Sequence, residues 1–512
     1  MLSHKRAWMG CGFVLLLGLT APPAVAATPL EFRLTFSESV SAAPFTGRVY
    51  LMLTKADTKA LPAGPNWFKP EPFFARDVKG WRPGETLVFG ADALGYPYPL
   101  AKLPKGTYTV HAVMDFDSGD RLFSTADGNA HGKPLRREFD PASTGPVALK
   151  IDQVYKAKPF VETARVKLVE VESKLLTAFH GRPVRLRAGV VLPASYSKET
   201  GKRYPVVYEV PGFGGDHRMA FFAALRNATE VAGVEMLHVV LDPGCRLGHH
   251  VFADSANNGP CGRALVEELV PQVEAKFRGL GRPDARFVTG HSSGGWSSLW
   301  LQVTYPDFFG GVWSTAPDPV DFRDFQRIDL TRAGANMFTD GAGKPRPLAR
   351  RGGKPVLWYK DFSDMEEVMG HGGQLASFEA VFSPRGPDGR PRRLWDRATG
   401  AVDPEVARSW ERYDIRLVLE RGWKALGPKL AGKLHVYCGG DDTFYLEGAA
   451  ALLKQSLAKL GSDAVVEIVP GRDHGTLMDK KMRERIAREM AAQFRRSQQR
   501  SQARPVSTRT GE

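Results

Sequence analysis

Cysteine is scarce in this chain, with four among 512 residues. Cys11 falls in the N-terminal leader described below, which leaves Cys245, Cys261 and Cys438. Their spacing suits no zinc site. Cys245 and Cys261 flank a glycine- and asparagine-rich loop, so they form either a disulfide in an oxidising compartment or two free thiols. Cys438 ends an apolar run and reads as a buried small hydrophobe. No glycine-rich phosphate loop and no metal motif occurs, and the expectation is no cofactor and no metal. His249 and His250 lie near Asp254 but lack a third partner at ligand spacing. The acidic turn Asp115–Asp120 lacks the downstream glutamate of a calcium loop and reads as a polar hairpin turn. A membrane-spanning run is also missing. The apolar stretch Trp8–Thr20 is short and ends at Pro22-Pro23. The net charge of +14 is spread along the chain rather than gathered into a stripe, so no nucleic-acid partner is expected.

What is present at the N-terminus is an export signal. His4-Lys5-Arg6 precede the apolar stretch, and Ala24-Val25-Ala26 supplies an A-x-A cleavage site. Residues 1–26 are therefore read as a signal peptide, and the mature chain as periplasmic or secreted, without stable membrane insertion. The far end, residues 496–512, is rich in Arg, Ser and Gln and reads as a disordered basic tail.

Between these ends, two patterns alternate. From residue 27 to 159 the apolar residues recur with period two, as in Leu30-Phe32-Leu34-Phe36, Val49-Leu51-Leu53 and Tyr108-Val110-Ala112-Met114. Glycine and proline turns separate these runs, which predicts an antiparallel β-sandwich of immunoglobulin-like type. Trp67, Phe68, Phe73, Phe74 and Trp81 cluster there. Buried rings are commoner than exposed sugar platforms, so the loop is expected to tuck over the sandwich core. From 160 to 495 short apolar runs alternate with helical stripes, which predicts an α/β doubly wound sheet. Leu446-Ala450-Leu453-Leu457 and Met478-Met482-Ile486-Met490-Phe494 are packing stripes. A segment of about 320–433, holding Trp358, Trp395, Trp410 and Trp423, interrupts the pattern as an insertion and is expected to pack over the mouth of the site.

The chemistry concentrates in Gly290-His291-Ser292-Ser293-Gly294. An apolar run, Arg286–Thr289, precedes it and a helical run follows from Gly295. G-x-S-x-G in a strand-to-helix turn holds the serine hydroxyl up at the end of a sheet, as a nucleophile elbow does. A serine nucleophile needs a base, and the base needs an orienting acid. His474 follows the run Ala464–Val469 and is the base candidate. His371, in Gly370-His371-Gly372-Gly373, is an out-of-order rival. Asp441 or Asp442 follows the run Leu434–Cys438. Either could instead cap the helix that begins near Leu446, and the glycine turn before them favours Asp442 as the acid. The run Pro205–Val210 ends in Pro211-Gly212-Phe213-Gly214-Gly215, where backbone N–H groups can approach a carbonyl. Ser293 and either Phe213 or Gly214 are the oxyanion-hole candidates.

From about Val166 to Phe494 these segments resemble the esterase D-like branch of the α/β-hydrolases. That branch includes enterochelin, feruloyl and acetylxylan esterases, S-formylglutathione hydrolases and mycolyltransferases. The resemblance rests on Tyr204–Tyr208, on Gly290–Gly295 and on Gly440-Asp441-Asp442-Thr443-Phe444-Tyr445-Leu446. It implies an α/β-hydrolase fold and favours Asp442, because in the matching acid loop an Asp two residues before a Phe is catalytic. Two departures stand out. Pro211-Gly212 replaces the usual His-Gly, and the insertion is longer than in compact members. The expected function is an exported serine esterase acting on an acylated carbohydrate, aryl or siderophore ester. Acyl transfer by the same triad, a peptidase and a non-catalytic carbohydrate-binding protein are the rival readings.

Overall fold

The computed structural model describes Met1, residues 28–226 and residues 229–503. The predicted signal peptide beyond Met1, and the last part of the predicted tail, lie outside the described residues.

Nine strands build the N-terminal domain: β1 (Glu31–Phe36), β2 (Phe45–Thr54), β3 (Phe73–Trp81), β4 (Leu87–Phe89), β5 (Leu94–Tyr96), β6 (Gly106–Asp115), β7 (Ala130–Gly132), β8 (Leu135–Phe139) and β9 (Pro146–Val154). The sequence leads one to expect two packed antiparallel sheets. Hydrogen bonding instead joins all nine strands into one sheet, in the order β4-β1-β9-β7-β6-β2-β3-β5 with β8 also on β6. The cause lies in β6. Its first half pairs with β8 and its last residues pair with β7, so one long strand carries the ladder around without a break. β1 runs parallel to β9 rather than antiparallel.

The period-two pattern of β2, β3 and β6 sorts residues between two cores. Val49, Leu51, Leu53, Phe74, Val110, Ala112 and Met114 belong to the core of the N-terminal domain. Their neighbours Tyr50, Met52, Phe73, Ala75 and Val113 face the other way and join the main core of the C-terminal domain. Successive side chains of a strand point to opposite faces, so a sheet covered on both sides buries every position. Each large apolar side chain buried this way contributes roughly 2 kcal/mol of transfer free energy. Polar contacts fix the docking. The Tyr50 hydroxyl donates to the Met369 carbonyl at 2.6 Å, Arg48 donates to the carbonyls of Glu367 and Val368, and Arg246 forms an ion pair with the buried Asp115.

The C-terminal domain is a mixed α/β fold. Its sheet contains β10 (Val166–Glu172), β11 (Arg185–Val191), β12 (Val206–Val210), β13 (Leu237–Leu241), β14 (Arg286–His291) and β15 (Gly311–Thr315). After a separate hairpin of β16 (Pro347–Arg351) and β17 (Lys354–Trp358), β18 (Leu434–Gly439) and β19 (Val465–Val469) complete it. The order is β10-β11-β13-β12-β14-β15-β18-β19. Only β11 is antiparallel to both of its neighbours, and from β13 to β19 every pairing is parallel. The C-terminal ends of the parallel strands therefore converge on one edge, where α/β sheets place their ligands.

Helix α1 (Ser293–Thr304) follows β14, and the insertion contributes α2 (Tyr359–Met369) and α3 (Gln374–Phe382). The insertion is well packed, with Leu348, Phe362, Leu375, Phe378, Trp395 and Trp410 buried in the main core. Helix α4 (Glu447–Lys459) and helix α5 (Lys480–Ala503) close the fold, and Met482, Ile486 and Met490 form a buried stripe on α5. Helix α5 corrects one expectation. Residues 496–503, read as disordered tail, continue the helix, because Arg, Ser, Gln and Ala supply no breaker before Pro505. The cysteines resolve as thiols. Cys245 and Cys261 are free, and both hydrogen-bond Asn258, to its side-chain oxygen and its carbonyl respectively.

Candidate active site

Ser292 stands between the end of β14 and the start of α1, with φ 60° and ψ −124°. A non-glycine residue at positive φ is costly and persists only where its surroundings hold it. Here they do. Ser292 N–H donates to the Thr315 carbonyl at 3.0 Å, and its own carbonyl accepts from Trp296 and Asp318. The small neighbours are required by space. A Cβ on Gly290 would lie 2.1 Å from the Gly294 carbonyl oxygen, one on Gly294 would lie 1.9 Å from the Val210 oxygen, and one on Gly295 would meet the Thr315 oxygen at 2.6 Å. The elbow is therefore wedged between β12 and β15.

The acid and base loops meet at the same edge. His474 Nδ1 and Asp442 Oδ2 are 2.8 Å apart. Asp442 is fully buried, and its other oxygen accepts from the Phe444 N–H at 2.8 Å. Asp441 is exposed and its N–H is bound to the Arg472 carbonyl, so of the two aspartates the structure brings Asp442 to the histidine. Neither caps α4, whose N-cap is Leu446 with no side-chain bond. His371 lies elsewhere, 3.5 Å from Asp115, and takes no part in the cavity.

Ser292 and His474 line one cavity of about 270 Å³. Gly212, Phe213, His291, Asp318, Gln326, Gln374 and Phe444 are among the other residues around it. Phe213, an oxyanion candidate, is on this wall, and Gly212 approaches so closely that a Cβ there would sit 3.3 Å from Ser292 Cβ. Gly214 follows with φ +87°, a conformation suited to glycine. Ser293 is buried at the first turn of α1, where backbone N–H groups are free to stabilise negative charge. A larger cavity of about 750 Å³, between the sheet and α5, shares His291 but contains neither Ser292 nor His474.

Several contributors carry no sequence motif. The Ser293 hydroxyl donates to Asp318 at 2.5 Å, and the Gln374 amide reaches both. Burial pushes the Asp318 carboxyl up to about 6. His291 packs 4.5 Å from the His474 ring, and burial holds it down at about 3, so it stays neutral beside His474. Buried His249 holds the Pro211 carbonyl at 2.9 Å and so braces the turn that carries Phe213. Arg350, on β16 of the insertion, donates to the Asp442 carbonyl at 2.9 Å and pairs with Glu447. The aromatic loop corrects an expectation. Trp67 leaves the N-terminal core and packs edge-on against Phe362 at 4.9 Å, on the wall of the cavity.

The family described as "Putative esterase" matches residues 183–444, which include the elbow and the acid loop. The chain belongs to this family. Family membership supports ester hydrolysis. Two esterases of Mycobacterium tuberculosis, Esterase MT1326 and Esterase Rv1288, are each 30% identical over 138 residues. That stretch is 27% of this chain and 30% of each relative, so the match spans under a third of their length. Among solved structures, a ferulic acid esterase and an S-formylglutathione hydrolase from Agrobacterium tumefaciens are similar with TM-score 0.38 and 14% identity. Each comparison covers 65% of this chain and 98% of the other.

Proposed function

We propose that this member of the esterase family is a serine carboxylic-ester hydrolase, exported by the leader read at residues 1–26. The observation that carries the mechanism is the meeting of a strained Ser292 and an Asp442-oriented His474 on one cavity. In this reading His474 takes the Ser292 proton as the oxygen attacks the ester carbonyl. Asp442, bonded at Nδ1, leaves Nε2 of the ring as the accepting nitrogen and stabilises the imidazolium that forms. The N–H groups of Ser293 and of Phe213 or Gly214 receive the oxyanion. Collapse expels the alcohol, which takes the proton from His474. A water then gives its proton to His474, attacks the acyl-enzyme and releases the acid, returning Ser292. The substrate is a small-molecule or carbohydrate ester, with acylated carbohydrate, aryl and siderophore esters as the narrower classes.

Labelling by a fluorophosphonate probe tests this reading, with wild type beside Ser292→Ala. Labelling that vanishes in the variant, together with turnover of a short acyl ester, is the expected result. A folded wild type that neither labels nor turns over any ester removes the serine mechanism.

A further inference from the structure

Aromatic rings from both domains line the Ser292 cavity. Trp67, from the segment between β2 and β3, stands 5.7 Å from Phe213, 4.9 Å from Phe362 and 6.2 Å from Phe444. Its plane makes an angle of 88° with Phe362 and 80° with Phe444. Rings set this way form the walls of a box rather than a stack. Phe378 of α3 adds a further ring to the lining. Among the described residues no lysine or arginine lines the cavity. The Arg121 guanidinium, 5.0 Å from the Phe213 ring, stands outside that lining.

One carboxyl shares the cavity with these rings. Asp318 is 6% exposed and lies on the wall. Its Oδ2 accepts from the Ser293 hydroxyl and from the Gln374 amide. Its Oδ1 accepts no hydrogen bond from the described residues, and unlike Gln374 Oε1 it is not sealed away from solvent. That oxygen therefore opens onto the space that Asp318 lines. Burial is the largest influence on the carboxyl and pushes it up. The main groups acting on it are the Ser293 hydroxyl, His474, the like charge of Asp442 and the Gln374 amide, with no lysine or arginine among them.

A buried carboxylate without a cationic partner is costly. A hydrocarbon ligand would leave it so, and a second carboxylate would repel it. A hydroxyl would bring a donor but no charge. An ammonium brings the missing charge. It is also what the electron-rich faces of aromatic rings attract, as in the aromatic cages that hold quaternary ammonium groups. The rings and the carboxyl therefore call for the same ligand.

We propose that the ester taken into this cavity carries an ammonium group, seated among Trp67, Phe362 and Phe444 with Asp318 as its counter-charge. This rests on the reading of Ser292 and His474 as the reacting pair. Trp67 and Asp318 are then specificity-determining residues, one from each domain.

The test uses the full chain and two ester pairs matched in shape and differing in charge. In the first the alcohol differs, choline butanoate against 3,3-dimethylbutyl butanoate. In the second the acyl part differs, 4-nitrophenyl 4-(trimethylammonio)butanoate against 4-nitrophenyl 5,5-dimethylhexanoate. Wild type is expected to prefer the cationic member of at least one pair by about tenfold or more in kcat/KM. Asp318→Asn keeps the shape and removes the charge, and is expected to cut that ratio below about threefold. Trp67→Leu, which removes a ring and leaves the carboxyl, is expected to lower the ratio as well. A loss of folding quality alone would slow both members of a pair and leave their ratio unchanged. Absence of preference in both pairs overturns the proposal, and so does a ratio in Asp318→Asn equal to that of wild type. Calorimetric binding of the same esters to Ser292→Ala keeps this proposal apart from the catalytic one. Preferential binding of a cationic ester by a protein that hydrolyses none sinks the esterase reading and keeps the cation-selective cavity. Equal turnover of both members of each pair does the reverse.

Discussion

Asp442 Oδ2 lies 2.8 Å from His474 Nδ1, and Asp442 has no exposed surface. A carboxylate so placed fixes the ring tautomer. Asp442→Asn presents an amide to Nδ1 and can turn the ring to the wrong tautomer, so kcat is expected to fall on the order of 10⁴-fold with the fold retained. Steady-state kinetics beside circular dichroism checks this. The same loss from Asp441→Asn would move the acid to the neighbouring residue.

The elbow tolerates no extra atom. A methyl at Gly294 would meet the Val210 carbonyl oxygen at 1.9 Å, backbone against backbone. Gly294→Ala is expected to destabilise the chain by on the order of 3 kcal/mol and to abolish turnover. Urea denaturation gives the first quantity, and an unchanged midpoint would contradict the wedged geometry.

Asp318 makes stability depend on pH in a direction opposite to most carboxylates. Burial raises its folded value to about 6, above that of an unfolded aspartate near 3.8. The native state thus holds the proton more tightly, so this stabilisation is present below about 4 and is lost as pH rises to about 6. Asp318→Asn removes the ionisation. Its melting temperature relative to wild type is expected to climb between pH 4 and pH 7. A difference that stays flat across that window would show that Asp318 titrates normally.

The domain interface depends on a short list of bonds. Tyr50→Phe leaves the Met369 carbonyl without its donor and is expected to cost about 1–2 kcal/mol. Because Met369 ends the helix that carries Phe362, kcat/KM should fall too. Denaturation and kinetics read the two effects, and loss of neither would detach the interface from the site.

The thiols give a simple chemical check. Cys245, Cys261 and Cys438 are free and the last two are buried. All three are expected to react with Ellman's reagent in denaturant without prior reduction, and to react slowly in the folded protein. A pair that appears only after reduction would restore the disulfide.

Local chemistry explains which features could be read from the chain and which could not. Ser292 was legible because the elbow needs glycine on both sides within five residues. The choice of Asp442 rested on the glycine turn before it and the Phe two residues after it. Asp318 and Gln374 left no such trace, since each follows a strand or turn of ordinary composition and reaches Ser293 only through tertiary packing. Trp67 was visible as an aromatic, but its partners Phe213, Phe362 and Phe444 stand far along the chain. The N-terminal alternation marks strands, as at Glu31–Phe36, Phe45–Thr54 and Gly106–Asp115. Its second face was hidden, because Tyr50, Met52 and Val113 are apolar too and look like an ordinary strand interruption. The single continuous sheet depends on β6 pairing with two successive strands, which no local pattern records.

The two-faced N-terminal sheet also has a consequence for the order of biosynthesis. The chain emerges from its N-terminus, so β2, β3 and β6 are complete long before the ribosome reaches Met369 and Leu375. During that interval one side of the sheet can collapse onto its own core, while Tyr50, Met52, Phe73 and Val113 await a partner still unsynthesised. The nascent protein therefore carries a sticky apolar surface for most of its synthesis. Holding that surface apart from other chains, by a chaperone or by the unfolded passage of a secretory route, becomes a requirement written into the architecture itself.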